Sequence, residues 1–256
     1  MNTRILDWRT LTSKEQDSSP APRHAESLGM KVVIWTGRVV LGFFAFSLVL
    51  TFLYGFLPVP ITPLMVMRIG EAAVSPERSV RFKKDWVSLD EMSTKLQFAV
   101  IAAEDAKFFE HGGFDWEAIA KAMKYNERGR KIRGGSTISQ QVAKNVFLWP
   151  QRSWVRKALE AYFTFLIETF WTKKRIIEVY LNVVELGDGV YGVEAASNHY
   201  FKKSAAKLSS SEAALIAAVL PNPRRYSVKT PTRYVRFRQT MIQRRMPSAR
   251  ETMPKN

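Results

Sequence analysis

Acidic residues are scarce in this chain, 23 against 39 Lys and Arg, so a carboxylate inside an apolar helical stretch needs a reason. Glu104 and Asp105 stand in AVIAAEDAKFF, at the end of such a stretch. Glu160 stands in VRKALEAYFTFL, one turn after Arg156 and beside aromatic residues. Partial withdrawal from water raises a carboxylate's pKa toward working pH, which is what general acid or base catalysis needs. The plain alternative is pairing with a basic side chain at i,i+4, as Arg156 with Glu160, and for any single glutamate it is the commoner case. Between the two acidic sites runs RKIRGGSTISQQVAKN, Arg130 to Asn145, a basic glycine-rich turn leading into a helix. Free backbone N–H groups and the helix dipole make such a turn a ready anion site. Lys144 lies two turns on, and Arg152 follows the helix. G-x-x-x-x-G-K-[ST] is absent, so the anion is not a P-loop nucleotide. An ordinary capped helix stays open as the simpler reading at this point.

Other chemistry falls away. With no cysteine there is no disulfide framework, thiolate metal site or cysteine nucleophile. His24, His111 and His199 are far apart and lack H-E-x-x-H spacing. Ser204 and Lys207 form an S-x-x-K match, but no S-x-N or K-T-G completes it. The net charge of +16 calls for an anionic partner, and Phe201–Asn256 carries most of that excess.

The elements that must carry these residues start with a membrane segment. Val39–Leu57 is an uncharged run of 19 residues, nearly enough at 1.5 Å per residue to span the ~30 Å hydrocarbon core. Residues from Val32 lengthen it if Arg38 snorkels, giving a span over 32–57. Pro58, Pro60 and Pro63 follow it. Arg23, Lys31 and Arg38 precede the span, whereas only Arg68 stands in the matching stretch after it. That bias predicts a cytoplasmic N-terminus and an uncleaved signal anchor, with everything after Pro58 outside the cytoplasm. Residues 1–31 read as a disordered tail. Beyond the anchor an extended piece is expected over 78–87. Helices are expected around Leu96–Ala103 with Ser93 or Thr94 as N-cap, from Asp115 through Met123, and over Thr137–Asn145 with Thr137 and Gln140 in capping-box spacing. Val155–Phe170, Lys174–Val184 and Ser210–Leu220 are further helices. Strand signals are few.

Taken in order, the motifs resemble a known family. Glu104-Asp105-x-x-Phe108-x-x-His111-x-Gly113 looks like its first motif, and Gly134 to Asn145, containing Ser136, Thr137, Gln140, Gln141 and Lys144, like its second. Arg156-Lys157-x-x-Glu160 resembles the third, Lys174 to Asn182 the fourth, and Tyr191-Gly192-x-Glu194-Ala195-Ala196 the fifth. This is the pattern of the peptidoglycan glycosyltransferases, glycosyltransferase family 51, across roughly residues 89–220. With one anchor and no transpeptidase domain, the chain resembles the monofunctional members.

The resemblance implies a mainly α, lysozyme-like fold of two lobes around a cleft, occupying 58–245 with a tail over 246–256. It implies the substrate lipid II, whose 4-hydroxyl attacks the anomeric carbon of the growing glycan with inversion and release of undecaprenyl pyrophosphate. By the family match Glu104 is the general base and Glu160 the second catalytic glutamate, near the pyrophosphate. Asp105, Phe108, His111, Ser136, Thr137, Gln140, Gln141, Lys144, Asn145, Arg152, Arg156 and Lys157 would bind substrate. No cofactor is implied as required, though Mg²⁺ or Mn²⁺ at the pyrophosphate would be compatible. The implied partners are lipid II, the nascent glycan, an anionic bilayer and other cell-wall or division proteins, not nucleic acid. The implied place is the bacterial inner membrane, with the catalytic domain in the periplasm. A glycan-cleaving lytic transglycosylase or muramidase would share the fold and one glutamate but not need the anchor with the basic turn. A non-catalytic basic membrane scaffold would need neither the motifs nor the acidic pair. The segment GFDWEAIAKAMKYNERGRKIR adds a second expected membrane contact, through Phe114, Trp116, Ile119, Met123 and Tyr125 with the basic residues beside them.

Overall fold

The computed structural model describes residues 28–74, 81–127, 129 and 134–254. Expectations resting on residues 1–27, 78–80, Arg128, Arg130, Lys131 and Arg133 lie outside the described residues. The chain divides into two compact units, 1–46 and 47–256. In the first, the described residues belong to α1 (Leu28–Tyr54), whose side chains from Met30 to Phe46 are exposed on every side. Gly29–Tyr54 is long and apolar enough to cross a membrane. The helix ends at Tyr54 rather than at Leu57, because the chain turns at Gly55 ahead of the prolines.

The second unit is mainly helical, as the residue patterns indicate. Its elements are α2 (Pro63–Ala73), α3 (Thr94–Glu104), α4 (Trp116–Glu127), α5 (Ile138–Phe147), α6 (Trp154–Phe170), α7 (Lys173–Val183), α8 (Val193–Phe201), α9 (Ser210–Val219) and α10 (Arg233–Glu251). The starts follow the capping chemistry. Asp115 Oδ1 accepts from Ala118 N at 2.8 Å. Thr137 with Gln140 and Ser209 with Glu212 form reciprocal capping boxes. Ser93 sits at the N-cap of α3, yet its hydroxyl donates across to the Leu208 carbonyl.

Two helical groups meet at the acidic pair. In one, α3 and α10 pack on α9, whose residues Ala213–Val219 are all buried. In the other, α5 packs on α6 and α7. A small sheet flanks them, with β1 (Lys83–Lys84) parallel to β3 (Val190–Tyr191) and β2 (Glu185–Gly187) antiparallel to it. Gly189 turns between β2 and β3 at φ +70°. A Cβ there would lie 2.2 Å from the Arg81 carbonyl, so only glycine lets β1 approach. The boundary expected at 245 falls inside α10. Met246 and Ala249 are buried, and that packing carries the helix through Pro247 to Glu251.

Candidate active site

Glu104 is the last residue of α3, half-buried, and Asp105 caps the helix. Burial pushes the Glu104 carboxyl above the usual carboxylate range, against the opposing pull of the Gln141 amide and of Arg238 and Lys144. Gln141 Nε2 donates to Glu104 Oε2 at 2.9 Å, and the Tyr180 hydroxyl donates to Gln141 Oε1 at 3.3 Å. The hydroxyl therefore fixes which end of the amide faces the carboxylate. Tyr180 is fully enclosed, and burial, with the nearby Glu104 charge, holds its own pKa well above the ordinary tyrosine value.

Asp105 joins the two helical groups. Its Oδ2 accepts from the Ile138 N–H at 3.0 Å, at the start of α5, and its Oδ1 pairs with His111 Nε2 at 3.1 Å. The His111 Nδ1 accepts from Gly113 N at 3.2 Å, so Nε2 carries the proton and donates to Asp105. This arrangement revises the expected anion site at the start of α5. The Ile138 N–H is taken by Asp105 and the Gln140 N–H by the Thr137 hydroxyl, so those donors already have internal partners. What remains beside the cleft is the approach to the helix. Gly134, Gly135, Ser136 and Thr137 line a cavity of about 370 Å³ with Glu104, Asp105 and Arg245. Gly135 packs against Ala118 and Ala122 of α4.

Several expected ligands are built as supports. Phe108 is enclosed, with Lys173 Nζ 4.7 Å from its ring centroid. Thr137 Oγ1 donates to the Gly113 carbonyl at 2.7 Å, and Gln140 closes the capping box. Gly113 itself, at φ +90°, has no room for a side chain, since a Cβ would lie 2.8 Å from Thr164 Cγ2.

The third-motif residues form a second cluster one helix away. Arg156 Nη1 lies 2.7 Å from Glu160 Oε2, and Lys157 Nζ pairs with Oε1. The i,i+4 pair that counts as the plain reading is thus present. It is also buried, with Glu160 3% and Arg156 8% exposed. An enclosed ion pair with a second cation is more than helix-surface pairing, and the buried Arg156 Nε has no partner among the described residues. Lys144 lies between the clusters. Burial lowers its pKa, opposed by the charges of Glu160 and Glu104. Asn145 is half-buried beside it, while Ser136 and Arg152 are exposed.

The residue patterns give no role to Glu168, Lys173 or Arg245, nor to Tyr180 beyond its place in the fourth motif. Glu168 accepts from the Ser139 hydroxyl and from Lys173 Nζ, the latter at 2.7 Å, tying α5, α6 and α7 together below the cleft. The spacing of Arg238 and Arg245, seven apart on α10, was the available signal that both could face the cleft. Ser204 of the S-x-x-K match accepts from Ala206 N and caps a short 3-10 turn. A larger cavity, about 920 Å³, lies between α3 and the end of α10 at Phe98, Met246 and Pro247, far in kind from the acidic cleft.

Comparison with known proteins decides the family. Residues 72–247 match the family described as Transglycosylase. The chain belongs to the peptidoglycan transglycosylase family. It is 59% identical over 215 residues to the biosynthetic peptidoglycan transglycosylase of Bdellovibrio bacteriovorus, covering 84% of this chain and 86% of that one. It is 51% identical to the protein of the same description from Mannheimia succiniciproducens over 83% of this chain and 87% of that one. The Bacteroides thetaiotaomicron relative is 51% identical over 84% and 87%. The chain is accordingly a glycosyltransferase, and its family match extends to Arg236, Arg238 and Arg245 on α10.

Proposed function

We propose that this enzyme polymerises glycan strands from lipid II at the outer face of the cytoplasmic membrane, with Glu104 as general base. The observation that carries the proposal is the Glu104 carboxyl, desolvated in the cleft and held by Gln141, with a basic cluster across α5. The curated relatives are described as biosynthetic, which favours synthesis over cleavage.

In this reading the acceptor lipid II lies on the Glu104 side. Glu104 takes the proton of its 4-hydroxyl as the oxygen attacks the anomeric carbon of the growing strand. A raised carboxylate pKa makes the base stronger, and the fixed amide of Gln141 aims the free oxygen. The bond from the anomeric carbon to the pyrophosphate breaks, and configuration inverts. Lys144, Arg156, Lys157 and Arg152 take up the charge developing on undecaprenyl pyrophosphate, through preorganised cations rather than a proton. Glu160 orders Arg156 and Lys157. Arg245, on the cleft wall beside Glu104, suits the acceptor's own pyrophosphate. The described residues hold no group of three ligating side chains that would cage a metal ion. A Mg²⁺ or Mn²⁺ ion would ride on the pyrophosphate oxygens with water, and no step above runs through it.

The anchor keeps the cleft at the surface where the substrate resides. The cytoplasmic N-terminus and periplasmic domain are part of the same reading, resting on the Lys and Arg bias around the span. Contacts with other cell-wall or division proteins fit such a location. Full-length protein in detergent or bilayers, given labelled lipid II, should yield long glycan with release of undecaprenyl pyrophosphate. Shortening of preformed glycan without consumption of lipid II would overturn the reading in favour of a cleaving enzyme.

A further inference from the structure

A lysine facing a histidine is an unfavourable pair, because two bases then compete for one proton. Lys83 Nζ lies 3.0 Å from His199 Nδ1. An ammonium only donates, so Nδ1 accepts and the imidazole is neutral, with its proton on Nε2. Burial lowers the His199 pKa, and the charges of Lys83, Lys202, Lys229 and Arg81 lower it further. Among the described residues, no carboxylate forms an ion pair with Lys83, Lys84, Lys202 or Lys229.

The fold brings these cations together from separate segments. β1 carries Lys83 and Lys84, and the Lys83 N–H donates to the Gly189 carbonyl at 2.8 Å, which fixes its place beside β3. β3 leads through Gly192 into α8, whose last turn holds His199. Lys202 caps α8 in the left-handed region, at φ 58°, where glycine would sit with less strain. Lys229 stands in the segment between α9 and α10. Lys83, Lys84, His199 and Lys202 line a pocket of about 380 Å³ with Phe82 and Asn198. Asp85 is the one acidic residue among those lining it, and its charge acts on Lys84, whose pKa burial lowers. The negative end of the α8 dipole welcomes a cation at Lys202. It gives no reason for Arg81, Lys83 and Lys229, which come from other segments. Like charges gathered in this way cost stability unless something negative meets them. Because they approach from different sides, a planar carboxylate with two oxygens cannot meet them all. A phosphate presents three strong acceptor oxygens at tetrahedral angles, with about two negative charges at neutral pH when it is a monoester.

We propose that the pocket between β1 and the end of α8 binds a phosphate-bearing anion, held by Lys83, Lys84 and Lys202 with His199. None of these residues lines the cleft at Glu104, so the site is additional to the catalytic one and does not rest on Glu104 as the base. The phosphate can come from a phospholipid headgroup or from solution. Trp86 links the pocket to the membrane end of α1. Lys84 Nζ and the Arg175 guanidinium lie 5.3 and 5.2 Å from its ring centroid, and Arg175 Nη2 donates to the Tyr54 carbonyl at 2.9 Å. Headgroup binding rests on reading α1 as a membrane anchor; binding of a soluble phosphate does not.

His199 is the reporter. The chain has three histidines, so full-length protein with isotope-labelled histidine gives few NMR signals, and His199→Gln assigns the one of interest. Inorganic pyrophosphate is titrated in detergent against sodium chloride of matched ionic strength. The His199 signal should shift saturably with pyrophosphate, and its titration should move to higher pH, because a nearby anion favours the imidazolium. Lys83 and Lys202 are exposed, so Lys83→Gln with Lys202→Gln should keep the melting temperature while needing roughly ten-fold more pyrophosphate. The same signal is then read in bilayer discs of phosphatidylcholine with and without phosphatidylglycerol. A shift that requires phosphatidylglycerol supports the site with a headgroup as its ligand. A shift with pyrophosphate and none with phosphatidylglycerol supports it with a soluble phosphate. A His199 signal that responds to pyrophosphate only as it does to chloride, and not to phosphatidylglycerol, would overturn the inference. A response at His111 beside the cleft without one at His199 would overturn it too, while leaving the proposed pyrophosphate chemistry of the cleft standing.

Discussion

The Glu104 carboxylate is strained by its surroundings in a direction that serves it. Its folded pKa stands above its unfolded one, so the charged form costs stability at neutral pH, and that cost fades as pH falls below the ordinary carboxylate range. Glu104→Gln should therefore melt no lower than wild type at pH 7, with any advantage vanishing near pH 4; differential scanning calorimetry at the two pH values checks this. Gln141 pulls the other way by holding the carboxylate. In Gln141→Ala the Glu104 pKa rises further, and the acid limb of the kcat/KM profile should move to higher pH, as expected when a bond to the charged form is lost. Tyr180→Phe, which frees the amide to rotate, should lower kcat without moving KM. Lys144→Ala removes a cation that stands between the two clusters. A loss of about 1.5–3 kcal/mol corresponds to roughly 10–100-fold in kcat/KM, together with a steeper response to added divalent ion; unchanged kinetics would remove Lys144 from the pyrophosphate site.

Elements position these residues through junctions that a sequence does not display. The helix starts were legible, because Thr137 and Ser209 announce their capping boxes and Asp115 its turn. The Asp105 bond to Ile138 was not, since it joins residues far apart in the chain through a helix start that looked open to ligand. The end of α10 was also hidden. The tail was expected from residue 246, and the burial of Met246 and Ala249 carries the helix past Pro247 instead. Gly113 holds the floor where α6 passes under the first motif. Gly113→Ala should destabilise the fold by about 1–3 kcal/mol, from a strained φ and a clash with Thr164. A melting temperature within a degree of wild type would show that the junction yields.

At the scale of the whole molecule, the legible part was the order of motifs along the chain and the apolar run before them. Neither reveals how much of the surface is meant for lipid, because exposure is a property of packing. Packing exposes some of the apolar anchors expected to contact the membrane and not others. Trp116 is 72% and Met123 60% exposed, whereas Phe114 stacks behind Trp116 and Ile119 is half-buried. Trp116→Ser with Met123→Ser should raise KM for lipid II in anionic liposomes several-fold while leaving kcat in detergent near wild type, and the liposome activity should fall with salt. The proposed chemistry turns on Glu104 taking the proton. Its most direct test is polymer formation from labelled lipid II by full-length Glu104→Gln in bilayers, with unfolding measured on the same sample. The rate should fall by ~10²–10⁴ or more in a protein that melts no lower than wild type. Near wild-type polymerisation by the folded variant would contradict it.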